Sequence, residues 1–289
     1  MKFFICLFLI FICPLAASSS LITPYEKNRE QQNPCEIAIC CLFQNEALWL
    51  KEWIEFHRLI GVEHFYLYNN LSTDNYLEIL TPYIDAGIVE LFNFPIFPLK
   101  NWDQPTAYNH ALDLARGKNE WLAIIDTDEF ITPMTCDDLK DFLRAHKQFA
   151  GIYAKWQLFG TSNIRTLNPG ELMIEKLRYK CPPHHEENKW GKSIVQPLLT
   201  KTSDSPHFCS YIEGGHCWFP PIEAIVINHY FVRTEDFLYN VKLARLRQWA
   251  MHAFYNPNKL LNFLPTLNST KDDSMQRYVA PLKQILFEE

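Results

Sequence analysis

From residue 35 onward the chain alternates between two kinds of apolar segment. Ile37 to Phe43 is a short unbroken apolar run, the pattern of a strand buried on both faces. Trp49, Trp53, Phe56 and Ile60 then recur at helical spacing over Glu46 to Ile60, and Gly61 stops the helix. The same alternation predicts a strand over His64 to Tyr68 and a helix over Asp74 to Ala86, with Pro82 as a potential break and Gly87 as its end. It continues with a strand over Ile88 to Phe92, a helix over Thr106 to Arg116 ended by Gly117, and a strand over Trp121 to Ile125. Strands alternating with helices imply parallel pairing in an open, doubly wound sheet. Such sheets bind ligands beyond the carboxyl ends of their strands. Attention therefore falls on Gln44-Asn45-Glu46, Asn69 to Asp74 and Asp126 to Glu129.

After about residue 150 the alternation lapses. Gly151 to Phe159 and Ala224 to Val232 read as strands, and Asn168 to Phe219, rich in Pro, His and polar residues, reads as loops and short strands over the sheet. Thr234, with Glu235 and Asp236 in the following turn, opens a helix running to Ala253, and short helices follow from Pro257. The expected architecture is α/β, with a mostly parallel sheet flanked by helices over 35–232 and a C-terminal helical extension over 233–289. Ahead of it, Lys2, the apolar run Phe3 to Ile12 and the small residues around Ala16-Ala17-Ser18 read as a signal peptide over 1–17, or as a signal anchor if it is not cleaved. The expected location is exported or membrane-anchored, outside the cytoplasm. Residues 18–34 read as a polar leader.

Composition sharpens this picture in three places. Aromatic residues make up 15% of the 289 residues, but there are only 9 Gly, and no G-x-G-x-x-G or G-x-x-x-x-G-K-[ST] loop occurs. Any bound phosphate must be held by a metal or by a few local donors. A net charge of -6 with no long basic run argues against nucleic acid as a partner. Seven cysteines follow the leader, an odd and irregularly spaced set: Cys40 and Cys41 read as small buried hydrophobes, and Cys209 and Cys217 could pair across a loop.

The sharpest chemical feature is Trp121 to Phe130, where a buried strand runs into Asp126, Asp128 and Glu129. Residues two apart in extended chain face the same way. Two carboxylates so placed repel unless a cation lies between them, and carboxylates beside substrate phosphates are the usual ligands of Mg²⁺ or Mn²⁺. Asn45 reads as a helix cap, with Glu46 favoured by the helix dipole. Asn70 to Asp74 forms a turn before the second helix, and Gln104 to His110 opens the third. A zinc site built from Cys181, His184, His185, His207, Cys209, His216 and Cys217 is the weaker alternative, because the gaps are long and no C-x-x-C pair occurs.

Taken in order, these segments resemble the nucleotide-sugar half of GT-A glycosyltransferases, and more narrowly family 92 glycosyltransferases. The resemblance rests on Asn45-Glu46, Leu50 to His57, Gly61 to Tyr66, Asn70-Leu71-Ser72-Thr73-Asp74 and Trp121 to Phe130, then on Trp156 to Ser162, Lys192 to Pro197 and Asn228-His229-Tyr230. It implies transfer of a sugar from a UDP-sugar, with UDP-galactose the favoured donor, to a glycan hydroxyl with inversion. By this resemblance Asp126, Asp128 and His229 hold Mn²⁺ or Mg²⁺ against the donor diphosphate. Asn45, Glu46, Asp74 and Gln104 line the nucleotide pocket. Trp156 and His207 meet the substrate, and Trp190 and Trp218 are further candidates for sugar stacking. The acceptor proton needs a carboxylate base; Glu213, Glu186 and Glu223 lie in the right stretch, with Glu213 the first choice. Two other classes use the same residues: a carbohydrate-binding relative without turnover, and a metal-dependent phosphoesterase.

Overall fold

The structure is a computed structural model and describes residues 22–28, 34–95, 104–249 and 257–288. The expected signal peptide or anchor, residues 1–17, lies outside the described residues. Among those described, no helix is long and apolar enough to cross a membrane.

Eight strands form the body of one mixed sheet. They are β1 (Cys35–Phe43), β2 (His64–Asn69), β3 (Val89–Asn93), β4 (Asn119–Ile124), β5 (Glu129–Pro133), β6 (Gly151–Leu158), β7 (Gly191–Val195) and β8 (Ile225–His229). Their order is β3-β2-β1-β4-β7-β6-β8-β5. The first four are mutually parallel. β7 runs antiparallel to both β4 and β6, so β6 shares the direction of β4. β8 is parallel to β6 and antiparallel to β5. Six strands thus deliver their carboxyl ends to one edge, and β5 and β7 begin there.

The apolar pattern of β1 shows why it is central. Ile37, Ile39, Cys41 and Phe43 enter one core and Ala38 and Cys40 the other, so both faces are covered. Helices α1 (Ala47–Leu59) and α2 (Tyr76–Asp85) cover the first face, and α3 (Gln104–Ala115) covers the second. Pro82 does not break α2. It sits in the last turn, where one lost hydrogen bond is tolerated, and Gly87 at φ +71° then ends the helix.

Three features differ from the sequence pattern. Part of the polar leader joins the sheet: Thr23–Pro24 pairs antiparallel with Asn93 and Phe92, and Ile22 is buried. The helix opened by Thr234 is interrupted, running as Glu235–Phe237, a π-helical turn Leu238–Lys242, and α4 (Leu243–Trp249). The tail, α5 (Pro257–Leu267) and α6 (Gln276–Phe287), is not peripheral, because Tyr278, Leu282 and Leu286 enter the same core as α1. Among the described residues every cysteine is a free thiol, including Cys209 and Cys217, and Cys40 and Cys41 are fully buried.

Candidate active site at the carboxyl ends of the strands

β4 ends at Ile124 and β5 begins at Glu129, so Asp126, Thr127 and Asp128 form the tight link between two core strands. The link is braced from below. Asp126 N–H donates to Glu129 Oε2 at 2.9 Å, and Trp53 Nε1 donates to the Glu129 carbonyl at 2.9 Å. Glu129 is fully buried, and burial pushes its carboxyl well above the usual range against the pull of Lys192.

The two aspartates face different basic side chains. Lys192 Nζ, itself 1% exposed, donates to Asp126 Oδ2 at 2.8 Å. Burial works against the Lys192 charge, but Asp126 and Glu129 hold its pKa up. Lys192 enters here because Gly191 before it packs on the backbone of β6, where a Cβ would collide with the Ala154 carbonyl. Asp128 faces His229, with Oδ1 3.4 Å from Nε2. Burial alone would raise the Asp128 carboxyl, yet His229, with Lys242 and Arg233 behind it, holds it well below the usual carboxylate range.

The donor types fit a divalent cation. Carboxylate oxygens with an imidazole nitrogen suit Mn²⁺ or Mg²⁺. Two ligands at right angles on a small cation lie roughly 3 Å apart, near the Asp128–His229 spacing. The side chains do not converge fully as they stand. Among the described residues no group of three or more His, Cys, Asp and Glu meets at metal-binding distance, and Asp126 is turned toward Lys192. The same finding removes the zinc alternative as a preformed site.

An aromatic wall flanks the acidic link. The Trp156 ring lies 4.5 Å from His229 and 5.2 Å from His207, and His207 lies 5.1 Å from Trp190. His207 Nδ1 bonds the Gly191 carbonyl at 2.9 Å, and burial, with Lys192 nearby, lowers its pKa. Trp156 Nε1 is buried without a hydrogen-bond partner, and Trp190 is 41% exposed.

The nucleotide-pocket candidates have structural duties. Asn45, at φ +55°, accepts Thr73 N–H on Oδ1 and donates its own N–H to Ser72 Oγ. Asp74 Oδ2 accepts the Ala47 N–H, so the start of α1 is capped from the neighbouring loop rather than by Asn45. Glu46 is not free to meet a ligand: Arg233 and Arg245 take its two oxygens at 2.5 and 3.1 Å. Gln104 is the first residue of α3 and half-buried. Since α3 returns against the strands, its start belongs to this same end.

Two further expectations are corrected. Glu213 is exposed in the turn before Cys217–Trp218, and that short strand pairs with Gly151 and Ile152 at the amino end of β6. At about 3.3 Å per residue, the length of β6 separates it from the acidic link. Glu223, just before β8, lies at that far end as well, whereas Glu186, in the 3₁₀ turn leading into β7, lies on the ligand side. Trp218 is also far away, stacked on His146 at 4.4 Å and Phe149 at 5.4 Å. A surface depression of about 460 Å³ at this amino end, lined by Glu36, Glu63, Lys118 and Lys140 among others, contains none of the candidate site. Lys192, Arg233, Arg245 and Lys242 were not anticipated as site residues. Only Lys192 carried a signal, a lysine opening an apolar run.

An α/β sheet with an acidic link at the end of its central strand is the layout of GT-A glycosyltransferases. The glycosyltransferase family 92 model matches residues 34–259, and the chain belongs to that family. A family 92 protein of Ricinus communis is 29% identical over 73% of this chain, and one of Arabidopsis thaliana is 28% identical over 70%. The chain spans 38% and 36% of those two relatives' lengths. Among solved structures, S. aureus TarS residues 1–349 gives a TM-score of 0.45 at 14% identity, covering 88% of this chain and 75% of that one. The same protein in complex with UDP-GlcNAc gives 0.44 at 14% identity, covering 79% and 70%.

Proposed function

We propose that this chain transfers a sugar from a UDP-sugar to a glycan hydroxyl, with a divalent cation and with inversion. The observation that carries the reading is the acidic link of Asp126 and Asp128 at the ligand end of the sheet, with His229 facing Asp128. Family membership supports the same chemistry. UDP-galactose is the donor to try first.

In this reading Asp126, Asp128 and His229 would hold the cation, whose charge would stabilise the departing diphosphate. Lys192 restrains Asp126 and offsets its charge. Glu129 braces the link from below by accepting the Asp126 N–H, and burial works against its charge. Trp156, His207 and Trp190 present ring faces and edges on the acceptor side. The acceptor oxygen attacks the anomeric carbon from the face opposite the diphosphate, the bond to the diphosphate breaks, and a carboxylate takes the acceptor proton. Of the three carboxylates considered, Glu186 is the one on that side. The N-terminal segment would carry the domain out of the cytoplasm, cleaved or as an anchor.

The test is UDP binding to the purified chain with and without Mn²⁺. UDP should bind more tightly with Mn²⁺, and Asp128→Asn should abolish the difference. Metal-independent binding, unchanged in Asp128→Asn, would refute the assignment. Glycan binding without turnover of any nucleotide sugar would instead identify a non-catalytic relative, and hydrolysis of simple phosphate esters a phosphoesterase.

A further inference from the structure

Four cations crowd the ligand end of the sheet, and three are engaged. Lys192 is bound to Asp126, while Arg233 and Arg245 divide the oxygens of Glu46. Arg233 is further clamped between the rings of Trp49 and Phe237, at 4.9 and 4.6 Å. The fourth, Lys242, makes no ion pair or hydrogen bond among the described residues. Its Nζ lies 3.8 Å from the centroid of Phe231, and that ring meets His229 edge-on at 5.4 Å. Lys242 therefore stands one ring away from the Asp128–His229 pair. Burial, with Arg233 and Arg245 adding to it, pushes the Lys242 ammonium below the usual lysine range despite the attraction of Asp128.

The backbone singles out the same residue. Lys242 closes the π-helical turn Leu238–Lys242, and such turns recur at functional sites, where they re-aim a side chain within a helix. A half-buried ammonium with two arginines nearby, lacking an ion-pair partner, is set to receive an anion.

We propose that Lys242 contacts the diphosphate of the donor, which makes the segment after β8 part of the donor site. The proposal rests on the UDP-sugar reading above. A lysine serves as a compact point charge for a phosphate oxygen. Arg233 and Arg245, committed to Glu46, position the segment that carries it.

The experiment titrates the full chain with UDP and with uridine at a fixed Mn²⁺ concentration, in the wild type and in Lys242→Met, which keeps the stem over Phe231. UDP affinity should fall about 10- to 100-fold, the loss of one charge-assisted hydrogen bond. Uridine affinity should not change, and Lys242→Arg should recover part of the loss. Lys242→Gln gives the same comparison if the Met variant melts early. Unchanged UDP binding in Lys242→Met overturns the proposal and leaves the UDP-sugar reading standing. Tighter UDP binding, expected if Lys242 merely repels a cation at Asp128, overturns it as well. A wild type that binds neither UDP nor uridine overturns the reading beneath it.

Discussion

Asp126 and Asp128 were visible as candidates because everything needed to see them is local: a buried strand, a two-residue spacing and an acidic turn. Glu46 is the opposite case. Its neighbours in sequence say helix start, but its partners Arg233 and Arg245 arrive from the far end of the chain. Arg233 is 1% exposed and is the more committed of the two, sealed between two rings and ion-paired at 2.5 Å. Arg233→Met should destabilise the protein by about 3 kcal/mol in urea unfolding, because it leaves Glu46 buried with half its partners. Glu213 failed on distance: its sequence position told nothing of which end of the sheet its loop would reach.

At the level of elements, four strands and three helices of the first half follow from apolar periodicity, with ends within a few residues of those expected. β5 was not expected as a strand, and β7, in a stretch expected to form loops and short strands over the sheet, lies within the sheet instead. Both are short, and both begin with polar or small residues, Glu129 and Gly191-Lys192, that are placed by the site rather than by the core. The helix α1 carries a second buried acid on its core face. Glu52 accepts the N–H groups of Met173 and Ile174 at 2.9 and 3.0 Å, yet burial raises its pKa to about 7. A raised carboxyl pKa means that the folded state holds a proton the unfolded state has released. Its stabilising effect is therefore full below about pH 4.5 and is lost as pH rises through about 7. Glu52→Gln should be less stable at pH 5, since one of the two N–H groups loses its acceptor. The part of the pH 5 to 8 decline in melting temperature that Glu52 causes should disappear in that variant.

The molecule as a whole is held together by its tail. The Tyr278 ring packs on Phe56 at 5.1 Å, Lys51 Nζ donates to the Leu286 carbonyl at 3.4 Å, and Leu282 is fully buried. Leu282→Ala should cost about 3 kcal/mol, as for other buried leucines, measured by urea unfolding. An extension independent of the core would show almost no loss. The N-terminal side makes a similar, smaller contribution, since Asn28 exchanges two hydrogen bonds with Leu91 beyond the Thr23–Pro24 pairing.

The sequence by itself determined the α/β alternation, the direction of the parallel strands and the place of the acidic link, because each depends on periodicity within about ten residues. Tertiary structure alone decided which basic side chains gather around the carboxylates. Lys192, His229, Arg233 and Lys242 reach the site by β-pairing and helix return, and a buried charge must be matched by whatever those long-range contacts bring to it. The low glycine content takes on its meaning at the same scale. A fold without a glycine-rich phosphate loop has instead gathered cations and carboxylates at one edge of the sheet, from segments that are far apart in the chain.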